Sequence, residues 1–232
     1  MSAEASAPAA TGAKGAVQTV EPTRAQRTVA RRMAESKATI PDFQAAVEAD
    51  ITDLLAARGT VTVTAAVVHA AGIALREHAP VNGAYADGKY QHYERANVGV
   101  VVDGGEALVI PTIFDADAKS AATVSEQLAA HVAEARDGTI TAAALSGATF
   151  TISNLGMHGV TAFTAIIQPG QAATLAVGAA VECVALRDGT PVAREVLTLT
   201  LSADQRIVSG TDAASFLRRV RALLEDPAAL LA

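Results

Sequence analysis

Gly147-Ala148-Thr149-Phe150-Thr151-Ile152-Ser153-Asn154-Leu155-Gly156-Met157 is the stretch on which the reading of the fold turns. Residues 149–153 combine β-branched and aromatic side chains and read as a strand. The strand runs into Gly156-Met157-His158-Gly159. That turn is too short, and its glycines wrongly spaced, for a dinucleotide-binding fingerprint, and no other glycine-rich phosphate loop is present. A hydroxyl, Ser153, and an imidazole, His158, therefore share one strand-and-turn segment.

Working outward, residues 173–181 read as a second strand, and residues 196–202 alternate clearly as a third. Ala213, Phe216, Leu217, Val220 and Leu224 then form a closing amphipathic helix. Cys183, the single cysteine, sits in an apolar run and reads as a small buried hydrophobe. It can form no internal disulfide, so nothing points to an oxidising compartment. Upstream, Val124, Leu128, Val132 and Ala135 mark an amphipathic helix over residues 123–136. Residues 97–103 and 107–113 are β-rich runs turned by Gly104-Gly105, and Asp87-Gly88 is a hairpin turn. A helix over residues 64–78, capped by Thr64, holds His69 as a packed residue. Residues 43–51 form a strand. Before it, Thr23 caps a helix to Lys37, which Ile40-Pro41 ends. Arg24, Arg27, Arg31 and Arg32 on this helix are a solvated face or, alternatively, a basic edge for a cofactor phosphate. Residues 1–20 are rich in small residues and read as a flexible arm, leaving 21–232 as the folded domain. Helices alternating with strands, some of them directly connected, favour a mixed sheet with flanking helices over a doubly wound parallel one.

Composition narrows the function. The 232 residues are 50% hydrophobic and 18% charged, which suits a globular core. Aromatic residues make up 3%, with no Trp, so the core is aliphatic and stacking platforms for single-stranded nucleic acid are not expected. A net charge of −6 gives no broad surface for a phosphate backbone. No run reaches the ~20 apolar residues of a membrane helix, and the N-terminus lacks a signal-peptide core, so a cytoplasmic protein is expected. No Cys/His cluster suggests a metal.

Several runs together resemble one family, the catalytic domain of the dihydrolipoyl acyltransferases of 2-oxoacid dehydrogenase complexes. They are Arg31-Arg32-Met33-Ala34-Glu35-Ser36-Lys37 with Ile40-Pro41, Val81-Asn82-Gly83, Asn97-Val98-Gly99-Val100, the run 147–157, Ala165-Ile166-Ile167-Gln168-Pro169, Leu175-Ala176-Val177-Gly178, residues 199–217 and Leu224-Glu225-Asp226-Pro227. The resemblance spans residues 21–232. It implies an α/β, chloramphenicol acetyltransferase-like two-layer sandwich, a mixed β-sheet with flanking helices. It also implies a homotrimer or a higher cage of trimers, with an active-site channel at each subunit interface. Coenzyme A would enter one end and the dihydrolipoamide thiol the other. Leu223, Leu224, Leu230 and Leu231 would join trimers or pack back on their own subunit. No lipoyl domain precedes the catalytic run, so no covalently bound lipoyl group is expected.

The sequence departs from the family at its signature. Where the family carries His-Arg-x-x-x-Asp-Gly, or Asn-Gly, this chain reads Gln205-Arg206-Ile207-Val208-Ser209-Gly210. By resemblance, Ser153 is the oxyanion donor and Gln205 replaces the general base. A glutamine amide has no useful basicity at neutral pH. His158 is then the first substitute base and Asp204 the second, while Ser209 is either a site residue or, with Thr211, a cap of the last helix. Three functions follow. The first is transfer from an acyl-CoA, acetyl-CoA above all, to a hydroxyl of a small metabolite, free or carrier-bound, such as a tetronate-type natural-product intermediate. An acidic enol acceptor would need no strong base. The second is a catalytically inactive oligomeric scaffold. The third is a dihydrolipoamide acyltransferase core acting with lipoyl domains in trans.

Overall fold

A computed structural model describes residues 13–105 and 107–232. Residues 1–12 of the expected arm lie outside the described residues. Thr23 opens helix α1 (Arg24–Thr39) with a reciprocal cap: its hydroxyl accepts from the Gln26 N–H, and the Gln26 side chain accepts from the Thr23 N–H. The helix runs two residues past the expected end. It stops where Ile40 turns extended (φ −103°, ψ 111°), the conformation a following proline imposes.

Next come strand β1 (Asp42–Asp50), a short helix α2 (Thr52–Ala57) and helix α3 (Val63–Glu77). The α3 cap is Thr62, not Thr64 as expected, and its hydroxyl accepts from the Ala65 N–H. α3 is buried nearly all round, with His69 packed inside and its Nδ1 3.0 Å from the Ala116 carbonyl. Strands β2 (Gly83–Ala86) and β3 (Lys89–His92) form the expected hairpin, with Asp87 and Gly88 both at positive φ (51° and 74°). The two long runs expected over 97–113 are instead four short strands: β4 (Val98–Val100), β5 (Val102–Asp103), β6 (Leu108–Val109) and β7 (Thr112–Ile113). Pro111 has no N–H to extend a ladder, and Val101 turns its own N–H to the Ile152 carbonyl. Helix α4 (Ala121–Arg136), strand β8 (Phe150–Asn154), strands β9 (Ala173–Arg187) and β10 (Thr190–Asp204), and helices α5 (Gly210–Leu224) and α6 (Pro227–Leu230) complete the chain.

The main sheet has the order β1-β10-β9-β8-β4-β7. β8 lies parallel to both neighbours and the other pairs are antiparallel. This is the expected two-layer α/β arrangement with a mixed sheet. Alternation sorts its faces. Phe150 and Ile152 of β8, Leu175 and Val177 of β9, and Leu197, Leu199 and Leu201 of β10 join the core under α3 and α5. Phe150 meets Phe216 of α5 with ring centroids 5.5 Å apart. Thr151, Ser153, Thr174, Thr200 and Ser202 consequently share the opposite face.

β9 and β10 are far longer than the sequence suggested. Beyond Val196, where β1 ends, they continue as a two-stranded arm turned at Asp188-Gly189, with φ of 50° and 79°. Cys183 lies on this arm and is only partly buried, which corrects the expectation of a core residue. At the other end of the chain, Leu223, Leu224 and Leu230 are buried and Leu231 packs against the same core. Leu223, Leu224 and Leu230 of the C-terminal tail therefore pack on their own subunit, while Leu231 stays partly exposed.

Candidate active site

Ser153 occupies the second-last position of β8, on the face away from α3 and α5. Its position is fixed from the strand end. The Asn154 side chain donates to Thr64 Oγ1 at 2.8 Å and accepts from the Gly156 N–H at 2.7 Å. Thr64, freed from capping, thus ties the strand to the N-terminal turn of α3. Gly156 is required next: a Cβ there would sit 2.8 Å from the Gly178 carbonyl oxygen. The Ser153 hydroxyl makes no hydrogen bond among the described residues. It faces a cavity of about 650 Å³. The floor is Thr151, Ser153 and Thr174 of the sheet, and Val29, Arg32 and Met33 of α1 form one wall. Phe163, Ile166, Gln168 and Gln171, from the segment after β8, with Leu108 of β6 and the adjoining Ile110, close the other sides. Ser36 pins α1 to that segment by donating to the Ile167 carbonyl at 2.5 Å. Arg32 is the one member of the basic helix face that lines the cavity.

The other expected site residues lie elsewhere. His158 is exposed, in a single turn (Gly156–His158) outside the cavity lining. Asp204, Gln205 and Ser209 form the corner between β10 and α5. Asp204 is 1% exposed, and its carboxylate is fully engaged by Arg206. Oδ1 accepts from the Arg206 backbone N–H (3.0 Å) and Nε (2.9 Å), and Oδ2 accepts from Nη2 (2.7 Å). The hydrogen bond to Asp204 holds the Arg206 guanidinium above its ordinary range. Arg206 also covers the Tyr85 ring, 4.6 Å from its centroid. A carboxylate so occupied is a structural anchor, which argues against Asp204 as a base. Ser209 caps α5: its hydroxyl accepts from the Asp212 N–H and donates to Asp212 Oδ2 at 2.6 Å. Thr211 takes no part in that cap, which Asp212 completes. Gln205 is exposed, with its N–H on the Pro41 carbonyl.

Within one chain the serine and the glutamine are far apart. Ser153 pairs with Ala176, and Ala176 with Thr200, so Gln205 lies two strands across and five residues along. That is roughly 10 Å by 17 Å, well beyond hydrogen-bond reach. Thr151, Gln171 and Thr174 line the cavity without having been singled out in the sequence, whereas Arg32 belongs to the basic helix edge named there. The i, i+2 spacing of Thr151 and Ser153 was the available signal for the first. Among the described residues no three His, Cys, Asp or Glu side chains cluster to hold a metal, and no helix is long and apolar enough to cross a membrane.

The structure thus defines a two-layer mixed-sheet protein with an unpartnered serine over a large cavity on the open face of the sheet. The chain belongs to the family of 2-oxoacid dehydrogenase acyltransferases, catalytic domain, which matches residues 14–232. It is 30% identical over 218 residues to the dihydrolipoyllysine-residue acetyltransferase component of the pyruvate dehydrogenase complex of Rickettsia bellii, covering 89% of this chain and 52% of that one. The chain therefore spans about half the length of the curated relatives it matches. Two solved structures each superpose with a TM-score of 0.90 at 31% identity, over 98% of this chain and 99% of theirs. One is the dihydrolipoamide acetyltransferase of Azotobacter vinelandii, studied for the role of a serine, a histidine and an asparagine in its catalytic mechanism; the other is the cubic core of a pyruvate dehydrogenase multienzyme complex. Chloramphenicol acetyltransferase shares the fold, with a TM-score of 0.51 at 13% identity over 84% of this chain and 94% of that one.

Proposed function

We propose that this chain transfers acyl groups between coenzyme A and the thiol of dihydrolipoamide, as the catalytic core of a dihydrolipoamide acetyltransferase-type enzyme. The observation that carries this reading is Ser153, whose free hydroxyl faces a cavity in the fold of that family. In the Azotobacter enzyme the histidine and asparagine lie four residues apart, as do Gln205 and Ser209 here. The separation of Ser153 from Gln205 in one chain fits a site completed by a neighbouring copy. The cubic core formed by a relative supports a trimer-based assembly.

In the proposed step an acceptor thiolate attacks the thioester carbonyl, Ser153 donates to the oxyanion, and the C–S bond to coenzyme A breaks. The departing thiolate then takes up the proton. The absence of an imidazole bears on the acceptor. An alkyl thiol keeps a small ionised fraction at neutral pH, far larger than an alcohol's, and its thiolate is strongly nucleophilic, so it reacts without a base at a cost of about 10²–10⁴ in rate. An ordinary alcohol has no such ionised fraction. Gln205 thus favours a thiol, or an acceptor as acidic as an enol, over a simple hydroxyl. The relatives favour the thiol of dihydrolipoamide over the tetronate-type metabolite.

An acyl-exchange assay with acetyl-CoA and dihydrolipoamide tests the proposal. Wild-type protein should turn over slowly, and Ser153→Ala should lose a further 10²–10³ in rate at unchanged melting temperature, because no intrachain hydrogen bond is lost. No turnover and no coenzyme A binding in an assembled wild-type protein would favour the scaffold reading.

A further inference from the structure

A second hydroxyl on the cavity floor has no role in the reaction described above. Thr174 of β9 sits beside Thr151 of β8 in parallel register, on the same sheet face as Ser153. Thr151 is satisfied, since its hydroxyl donates to Gln171 Oε1 at 2.8 Å and Gln171 Nε2 donates to the Ala148 carbonyl at 3.0 Å. Thr174 lines the cavity, is 1% exposed, and its hydroxyl has no partner among the described residues. Its cross-strand neighbour Ser202 is also buried and unpartnered. A buried hydroxyl without a hydrogen bond destabilises the folded state, and valine would fill the same volume without that penalty. Such a group calls for an explanation outside the folded chain alone.

We propose that Thr174 is a ligand-positioning residue that hydrogen-bonds the amide nearest the reactive sulfur of a pantetheine arm. The inference rests on the acyl-thioester reading of the Ser153 cavity. Ser153 pairs with Ala176, so Thr174 is one strand across and two residues back, about 8 Å from Ser153 between Cα atoms. In a pantetheine thioester two methylenes separate sulfur from the amide nitrogen, which puts that amide roughly 4–6 Å from the sulfur. With the carbonyl carbon held at Ser153, the amide then falls over Thr174. As placed, the Thr174 hydroxyl is closed off from solvent. A turn of roughly 120° about χ1 carries the hydroxyl to the position the methyl group now holds, and the methyl to that of the β-hydrogen, and breaks no hydrogen bond, because none is made. A hydroxyl both donates and accepts, which suits an amide's paired groups. The same arm occurs in coenzyme A and on acyl carrier proteins. The dihydrolipoamide amide lies several bonds further from its thiols and would not reach Thr174.

The test is Thr174→Val, with Thr174→Ser as the variant that keeps the hydroxyl. Binding of acetyl-CoA and of S-acetylpantetheine is measured by calorimetry, together with KM for dihydrolipoamide and the melting temperature of the free protein. T174V should weaken both thioesters by roughly three- to tenfold, leave the dihydrolipoamide KM unchanged, and melt at the same or a higher temperature. T174S should bind as wild type. An equal loss for both thioesters assigns the contact to the shared arm. Acetylated carrier protein binding more tightly than acetyl-CoA would identify the carrier as its source. Unchanged affinities in T174V, or a lowered melting temperature of the free variant, would overturn the role of Thr174 alone. Wild-type protein binding neither thioester would overturn the acyl-thioester reading, and this inference with it.

Discussion

Removing the guanidinium of Arg206 should cost this fold more than removing the carboxylate it neutralises. Asp204 is 1% exposed, whereas the Arg206 side chain keeps 32% of its surface in solvent. In Arg206→Met the Asp204 carboxylate stays buried with a single backbone N–H as donor, at 3.0 Å. Breaking a buried pair from this side costs about 3–5 kcal/mol, and loss of the contact with Tyr85 adds about 0.5–1 kcal/mol. In Asp204→Asn the amide oxygen can still accept from the Arg206 backbone, and the guanidinium turns to water, so about 1–2 kcal/mol is expected. For a domain of this size the first change lowers the melting temperature by on the order of 10 °C. Urea unfolding of both single variants and the double variant checks the reasoning. The double variant should be less destabilised than the sum by more than about 1 kcal/mol, since the isolated buried charge is gone. Additive effects, or a larger loss in D204N than in R206M, would show that burial of the carboxylate does not govern this corner.

Two further outcomes are expected. Gly72→Ala in α3 would place a Cβ 2.7 Å from the Asp117 backbone nitrogen and 2.8 Å from the Ala116 carbonyl carbon. Overpacking of about 1–3 kcal/mol should outweigh the ~1 kcal/mol gain in helix propensity, and a variant of unchanged or raised stability in thermal unfolding would refute that packing. Gln205→His combined with Ser209→Asn should raise dihydrolipoamide acetylation by about 10²–10⁴ and introduce the near-neutral inflection of an imidazole into the pH–rate profile; no gain would mean that this corner does not meet the Ser153 cavity.

Much of the fold was legible because side-chain alternation and capping are local. Phe150 and Ile152 against Thr151 and Ser153 mark the two faces of β8, and the Thr23 cap and Asp87-Gly88 turn appear where the sequence placed them. The misreadings have local causes as well. Thr62 and Thr64 are chemically equivalent as caps; the fold uses Thr62 and gives the Thr64 hydroxyl to Asn154, a tertiary contact with no local signal. Asp188-Gly189 was a hairpin signal, hidden because the flanking strands stand out as an arm with Val184 and Leu186 largely exposed, so their pattern is not that of a core. At the site, Ser153 was named from the family resemblance of the run 147–157, and the structure sets its hydroxyl over the cavity. His158 looked like a partner because it is near in sequence, yet the turn leaves it exposed outside the cavity lining. Asp204 looked like a base until its ion pair with Arg206 was visible. Thr174 was invisible, since one threonine in an apolar run has no signature until its missing hydrogen bond is seen.

A crystal structure of the assembled protein with bound coenzyme A bears most directly on the central idea, that the Ser153 cavity is half of an acyl-transfer site completed by another copy. The expected result is a sulfur within about 3–4 Å of the Ser153 hydroxyl, with Gln205 of the adjoining copy in hydrogen-bond reach of it. A cavity filled by the neighbour's side chains, with Gln205 on the outer surface of the assembly, would contradict it.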